Sequence, residues 1–381
     1  MHIFTYIDKD ATIYEKAKAL GVASSQQQHQ NTGLDSILEI QKYSIDGSFY
    51  NSRALVYFDM TALSSEITAG TVSANATHSL LLYNTKAIDI PLSYTLEVHP
   101  ISESWEMGTG KLSDFPITQD GCNWKYRDGY LDGSGSHWAT SSFATDTDYN
   151  ATGSANFGGT YYKGKSGDTD LYTHAKTYEF ESTDLDIDIT PSIAAIHANS
   201  FVNQGFMIKR TDVQESNNTP YGNLQFFSRD THTIYIPRLE TKWDDSVWST
   251  GSLSALNVDN DIVLYMRGLK PEYKNTSIEK FRVYGRNRIV AKTYSTQSDY
   301  LTTQYLPSGS TYYSVRDVST DEVLIDFDDY TKVSCDSTGN FFNFRLSTLQ
   351  PERYYKFLFK VVSGSSTQIF DDNKFQFKVV R

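Results

Sequence analysis

Cysteine, basic charge and long apolar runs are what this sequence has least of. Cys122 and Cys335 are the only cysteines in 381 residues. They fall in different expected domains, so no disulfide framework staples the fold. Lys and Arg number 34 against 46 Asp and Glu, a formal net charge of −12. A general nucleic-acid binder needs clustered cations to displace counterions, so this balance excludes that class and no nucleic acid is expected as a partner. No apolar run approaches about 18 residues, so no helix is expected to span a membrane and none is expected as a partner. The first residues, MHIFTYIDKDATIYEK, lack a basic stretch followed by an apolar one. No signal peptide is therefore expected, and the chain should fold in a reducing cytoplasm. Nucleophile elbow, Walker A loop, zinc spacing and dinucleotide fingerprint are all missing, and no two of the eight histidines sit four apart within a helix. No catalytic, cofactor-binding or metal-ligating residue is assigned, no cofactor is expected, and the chain is not expected to be an enzyme.

What the sequence has instead is aromatic surface. Aromatics make up 14% of the chain, and Tyr (27) and Phe (21) far outnumber Trp (5). Such side chains pack well on pleated surfaces, which points to an all-β fold. The segment NSRALVYFDM, Asn51 to Met60, is apolar at nearly every position, as expected of a strand buried on both faces. Tyr355, Phe357, Phe359 and Val361 alternate cleanly, as do Phe375, Phe377 and Val379 against Lys374, Gln376 and Lys378. HTIYIP at 232–237 and KFRVYG at 280–285 read as further strands. Helix is scarce. The best start is Thr190-Pro191, a cap followed by proline, with Ile193 and Ile196 on one face. Lys16 to Leu20 reads equally as one helical turn or as the end of a strand and a loop.

The segment Gly108 to Lys165 is rich in Gly, Ser, Thr, Asp and Asn and lacks periodicity. A stretch that long is either a binding loop or an irregular layer pinned to a sheet by single buried tryptophans (Trp105, Trp124, Trp138), the plainer explanation. A boundary is expected between Trp243 and Asp261. The organisation predicted is a β-sandwich domain at 1–245 with its long irregular loop at 108–165, a polar linker at 246–261, and an immunoglobulin-like β-sandwich at 262–381. No internal repeat or low-complexity tail interrupts it.

Several residue groups invite a chemical reading. Asp146, Asp148 and Asn150 begin like a calcium loop, but Ala151 stands where the turn needs glycine and Phe157 where the bidentate glutamate belongs. Asp184, Asp186 and Asp188 alternate with Leu185, Ile187 and Ile189, which places three carboxylates on one strand face, most simply a solvated one. Glu103 and Glu106 flank Trp105, and Asp114, Asp120 and Asp128 follow, yet sequence cannot set any two across a sugar ring as glycoside cleavage requires. Arg53 leads the hydrophobic strand and Asp59 closes it. The expected role of Arg53 is to cap loop carbonyls or pair with a carboxylate at a sheet edge. The rival role is a ligand contact, with Trp124, Tyr126, Tyr130 and Trp138 stacking on sugar.

The order DATIYE, QNTGLDSILEI, NSRALVYFDMTAL, SLLLYN, SYTLEVHPI and SESWEMGTGK resembles the DNRLRE family, a β-sandwich module of bacterial surface and some phage proteins. GCNWKYRDG, Trp138, NQGFMIKR at 203–210 and LQFFSRDTHTIYIPRLE at 224–240 suit its later strands, so the likeness covers roughly residues 5–245. The whole pattern, with the separate β domain that follows, also looks like virion proteins of tailed bacteriophages. The resemblance implies a jelly-roll-like sandwich followed by a smaller immunoglobulin-like one, in a structural protein of the virion. Its place would be the neck, collar, tail or a fibre attachment point, and it would act by symmetric assembly. The expected partners are other virion proteins and further copies of the chain, with a host glycan as an additional ligand. The alternative is a carbohydrate-binding module of a receptor-binding or fibre protein, and behind it a polysaccharide-degrading enzyme.

Overall fold

The computed structural model describes residues 1–16, 28–45, 47–129, 135–144, 149–179, 184–259, 261–289, 302–363 and 366–381. Asp146, Asp148, Tyr130 and residues 17–20 lie outside them. Among the described residues, strands dominate and the α-helices are short: Thr61–Thr68, Thr190–His197 and Asp212–Ser216. The protein is all-β. None of these helices is long and apolar enough to cross a membrane.

Two compact units divide the chain. One holds Thr5–Thr71 and Thr77–Glu240; the other holds Thr241–Arg381 together with Met1–Phe4 and Val72–Ala76. Described residues of the expected linker at 246–261 make contacts within the C-terminal unit. The Val247 carbonyl accepts from Cys335 N at 2.9 Å and Ser249 N donates to the Cys335 carbonyl at 3.0 Å. Ser254–Ala255 pairs in parallel with Gln304–Tyr305, and Leu256 and Val258 are buried. A polar composition concealed these two apolar anchors.

In the N-terminal unit the strand Ser48–Tyr57 is central. It pairs with Lys9–Tyr14 on one side and with Phe206–Arg210 on the other, while its first residues form a hairpin with Ile37–Ile45. Ser52 through Val56 are all buried, as the unbroken apolar run requires. The sheet continues from Phe206–Arg210 through Ser93–Pro100 to His174–Glu179. On the other side it runs through Ile37–Ile45 and Gly222–Phe227 to Asn84–Ile88. A second sheet pairs Thr77–Leu82 with Leu185–Asp188. The helix Thr190–His197 buries Ile193 and Ile196. Thr190 is its first residue rather than its cap: the Thr190 hydroxyl accepts from His78 N at 2.8 Å, while Asp188 Oδ1 accepts from Thr190 N at 2.8 Å.

The segment 232–237 forms no strand; pairing begins only at Arg238. The hydroxyls of Thr231 and Thr233 meet at 3.0 Å and Thr233 Oγ1 accepts from Tyr235 N at 3.2 Å, so local hydrogen bonds replace a ladder before Pro237.

The C-terminal unit has two sheets. One is ordered Ser254–Ala255, Gln304–Tyr305, Ile278–Asn287, Gly339–Arg345, Ser334–Asp336, with Ile262–Arg267 also paired to Ile278–Asn287. The other is ordered Glu272–Lys274, Gln376–Val380, Arg353–Ser363, Thr311–Asp317, Val323–Ile325, with Ser366–Phe370 also paired to Arg353–Ser363. Rings from one sheet meet rings from the other: Phe281 lies 4.9 Å from Phe357 and Tyr313 stacks 4.3 Å from Phe342. Tyr355, Phe357, Phe359 and Val361 all point into this aromatic core.

Candidate functional site

One face of the large sheet carries a layer of irregular chain. Trp105, Cys122, Trp124 and Trp138 pack there with Ala11, Ile13, Leu55 and Met207. A buried indole must place its N–H, and each finds a backbone carbonyl. Trp105 Nε1 donates to Gln204 O at 2.8 Å, Trp124 to Asn156 O at 2.8 Å and Trp138 to Asn123 O at 2.9 Å. Asn31 secures the same layer with all its amide valences. Nδ2 donates to Met107 O at 2.7 Å and Cys122 O at 2.9 Å, and Oδ1 accepts from Gly110 N at 2.8 Å and Gly33 N at 3.1 Å. Only glycine fits at 33, because a Cβ there would sit 2.1 Å from Met107 O.

The other end of this face is ionic. Arg53 comes from Ser48–Tyr57, Glu97 and His99 from Ser93–Pro100, Lys209 from Phe206–Arg210, and Lys163 from Tyr161–Lys165. Asp212 and Glu215 come from the short helix Asp212–Ser216, whose start is capped by Thr211 Oγ1 accepting from Gln214 N at 3.1 Å. Arg53 grips Glu215 with two bonds, Nε to Oε1 at 3.0 Å and Nη2 to Oε2 at 2.6 Å. Its third nitrogen, Nη1, donates to Gly158 O at 2.5 Å, and the guanidinium lies 5.0 Å from the Trp124 ring. Lys209, directly across the ladder from Glu97, places Nζ 2.7 Å from Asp212 Oδ1, 3.4 Å from Glu215 Oε2 and 3.6 Å from Glu97 Oε2. Lys163 also bonds Asp212. Three cations (Arg53, Lys163, Lys209) thus meet three carboxylates (Glu97, Asp212, Glu215).

Protonation follows from this balance. Burial pulls the Arg53 guanidinium down, but the Glu215 carboxylate outweighs it and keeps the pKa above the usual range. Burial pushes Asp212 up, yet the Lys209 and Lys163 ammonium groups hold it well below an ordinary carboxylate. His99 bonds Glu97 Oε2 at 3.2 Å, but burial dominates and lowers its pKa.

Beside this cluster lies a second cationic socket. Lys42 Nζ reaches Gln214 O at 2.6 Å, Glu215 O at 3.1 Å, Asn217 O, and Asn217 Oδ1 at 3.1 Å. It neutralises the carbonyl end of the helix that supplies Glu215.

The other carboxylates named from the sequence lie outside this ionic cluster. Glu103 Oε2 accepts from Thr160 Oγ1 at 2.6 Å and Ala139 N at 2.9 Å. Asp114 accepts from Lys111 N at 2.8 Å, Asp120 from Thr109 N at 2.9 Å, and Asp128 from Ser136 N at 2.5 Å. Glu106 is exposed, 3.9 Å from Lys9. Asp186 and Asp188 lie on the exposed face of their strand while Leu185 and Ile187 face inward. Asp59 does not meet Arg53; its Oδ1 accepts from Thr61 N at 2.9 Å, in an open groove of about 660 Å³ bordered also by Tyr57, Ser64, His197 and Phe201. Trp124, Tyr126 and Trp138 are buried. Cys122 and Cys335 are free thiols. Among the described residues no three His, Cys, Asp or Glu side chains are grouped to hold a metal ion.

The sequence reading named Arg53 but missed Glu215, Lys209 and Lys42. A signal was present for the lysines. Lys42 occupies the same parity as the buried Leu38 and Ile40, and Lys209 follows the fully buried Phe206–Ile208. A cation on a buried parity needs an internal carboxylate or carbonyl. No protein-family model matches the chain, and no curated protein matches it.

Proposed function

We propose that this chain is a structural protein of a tailed-bacteriophage particle, acting by symmetric protein–protein assembly in the neck, collar, tail or fibre-attachment region. On this reading its N-terminal unit is a DNRLRE-type, jelly-roll-like sandwich and its C-terminal unit an immunoglobulin-like one. The observation that carries the reading is how the chemically capable side chains are used. Charged groups close on one another inside the N-terminal unit, and the loop carboxylates hold turns. Trp105, Trp124, Trp138 and Trp243 are buried in packing. The surface, by contrast, presents large apolar side chains: Leu92, Phe115, Val202, Val213 and Ile289 are each more than 70% exposed. Side chains of that kind are what subunit contacts cover.

The glycan-binding alternative needs aromatic faces in the 108–165 region; Trp124, Tyr126 and Trp138 are buried, and Phe115 stands exposed there. A hydrolase needs two free facing carboxylates; Glu103, Asp114, Asp120 and Asp128 are engaged, and Glu106 stands exposed 3.9 Å from Lys9. Mass spectrometry of purified particles of the encoding phage tests the proposal. The chain is expected among the stoichiometric virion proteins, and its absence from them would overturn the reading.

A further inference from the structure

Charge is divided unevenly along this chain. Residues 1–240 carry 16 Lys and Arg against 29 Asp and Glu, whereas residues 241–381 carry 18 against 17. The acidic excess therefore lies in the first 240 residues, and the C-terminal part can present a basic face.

That face is the outer side of one sheet of the C-terminal unit. Along Ile278–Asn287 the buried Phe281 and Val283 face the core, so Lys280, Arg282, Tyr284 and Arg286 face outward. Arg267, on Ile262–Arg267, stands directly across the ladder from Arg282. Like charges so placed repel. Asp336 answers Arg282 with two bonds, at 3.0 and 2.8 Å, and accepts from Lys280 at 2.9 Å. Glu279 shares the parity of Phe281 and so belongs to the other side of the sheet. Arg267 is exposed and joins no ion pair among the described residues; its Nη2 donates to Tyr265 Oη at 3.3 Å. Arg267, Lys280 and Arg282 thus share one described carboxylate. The rings beneath them, Tyr284 under Arg267 at 4.7 Å and Phe341 under Lys280 at 3.5 Å, are buried. Recognition at this face is therefore by charge rather than by stacking on a base or a sugar.

The N-terminal unit presents the opposite charge in a matching geometry. Asp184, Asp186 and Asp188 are exposed on one side of a strand that ends its sheet. They are spaced by the two-residue step, about 7 Å, that also separates Lys280 from Arg282. Lys176, 4.0 Å from Asp186, is the cation paired with them among the described residues. Asp184 and Asp188 accept from backbone N–H groups, of Asn84 and Thr190, each at 2.8 Å. Burial holds the neighbouring His78 and His174 at about 4, so at neutral pH they leave the Asp188 charge standing.

We propose that the Arg267, Lys280 and Arg282 face of one copy docks on the Asp184, Asp186 and Asp188 strand of a second copy, so that copies associate head to tail. The two surfaces are complementary in sign and in spacing, and each keeps unmatched charge within its own chain. Every copy brings both surfaces in equal number, which favours this occupant over an unrelated polyanion. The contact joins two different patches and leaves one of each open, so it repeats from copy to copy.

The inference rests on the assembly reading only for its setting. A chain that associates this way yet is absent from particles would sink the setting and leave the contact standing. Sedimentation velocity on the full chain should show reversible association at about 50 mM salt, weakened about tenfold or more at about 500 mM, where charge is screened. R267Q/K280Q and D186N/D188N should each weaken it about tenfold or more, with thermal midpoints near that of the wild type because all four side chains are exposed. Mixed together, the two variants should form a dimer of wild-type affinity that grows no further, since each retains the patch the other has lost. A wild-type chain that stays monomeric at low salt, association indifferent to either pair of substitutions, or variants that fail to combine would overturn the proposal. Retention of a monomeric chain on heparin, lost in R267Q/K280Q, would also overturn it and assign the face to a polyanion.

Discussion

Arg53 and Glu215 form a buried, doubly bonded pair whose members have little water to fall back on. Removing one partner strands the other, which typically costs about 3 to 5 kcal/mol, whereas removing both with apolar replacements is far cheaper. Urea unfolding should therefore show Arg53→Met losing about that much, and the double variant R53M/E215M recovering most of it. A double variant no more stable than R53M would show that Trp124 stacking, not charge balance, sets the value of Arg53. Asp10 supplies a pH signature. It is 1% exposed, and burial raises its carboxyl to about 7 despite the hydrogen bond from Arg229 N at 2.6 Å. With the folded value above the unfolded one, its stabilising contribution is complete below about pH 4 and lost as pH rises through 7. Burial lowers His78 and His174 to about 4, and these work in the opposite sense, losing stability as pH falls from 6.5 through 4. The whole-protein profile mixes these opposing contributions, so the variant difference is the informative quantity. Asp10→Asn keeps the acceptor and removes the charge. Its stability relative to wild type should rise by about 4 kcal/mol between pH 4 and pH 8; a constant difference across that range would refute the assignment.

The element most dependent on a single side chain is the layer from residue 107 to 122. Four backbone groups rely on Asn31, and leaving them unsatisfied costs more than the bonds themselves contribute. Asn31→Ala should cost about 3 kcal/mol or more, and limited proteolysis should cut first within 107–122; unchanged cleavage sites would contradict this. The strands themselves were legible from side-chain parity. The unbroken run at 51–60 marked a central strand, and the alternation at 355–361 marked a strand lining the aromatic core. Parity fails where hydroxyls bond locally, which is why 232–237 looked like a strand and is not one. The ionic cluster was legible only in halves. Arg53 and Lys209 stand on buried parities, but Glu215 lies 162 positions from Arg53 on a five-residue helix. Nothing in local pattern announces that pairing.

For the molecule entire, the two-unit division shows what composition hides. A stretch of Ser, Asp, Asn and Gly around 246–261 looks like a tether. Two buried apolar residues and two backbone bonds to Cys335 make it part of a core. Residues 262–381 alone should therefore fold poorly: a 262–381 fragment should lose cooperative thermal unfolding relative to one starting at 241. Equal midpoints for the two fragments would return 246–261 to the status of a linker. The assembly account makes the larger claim that this scaffold's work is done at its surface, in repeated copies. Quantitative mass spectrometry of intact, purified phage particles tests that claim most directly. The account predicts the chain at a fixed copy number per particle that matches a ring or multiple of its symmetric neighbours. Its absence from particles, or its presence at trace and variable levels, would contradict it.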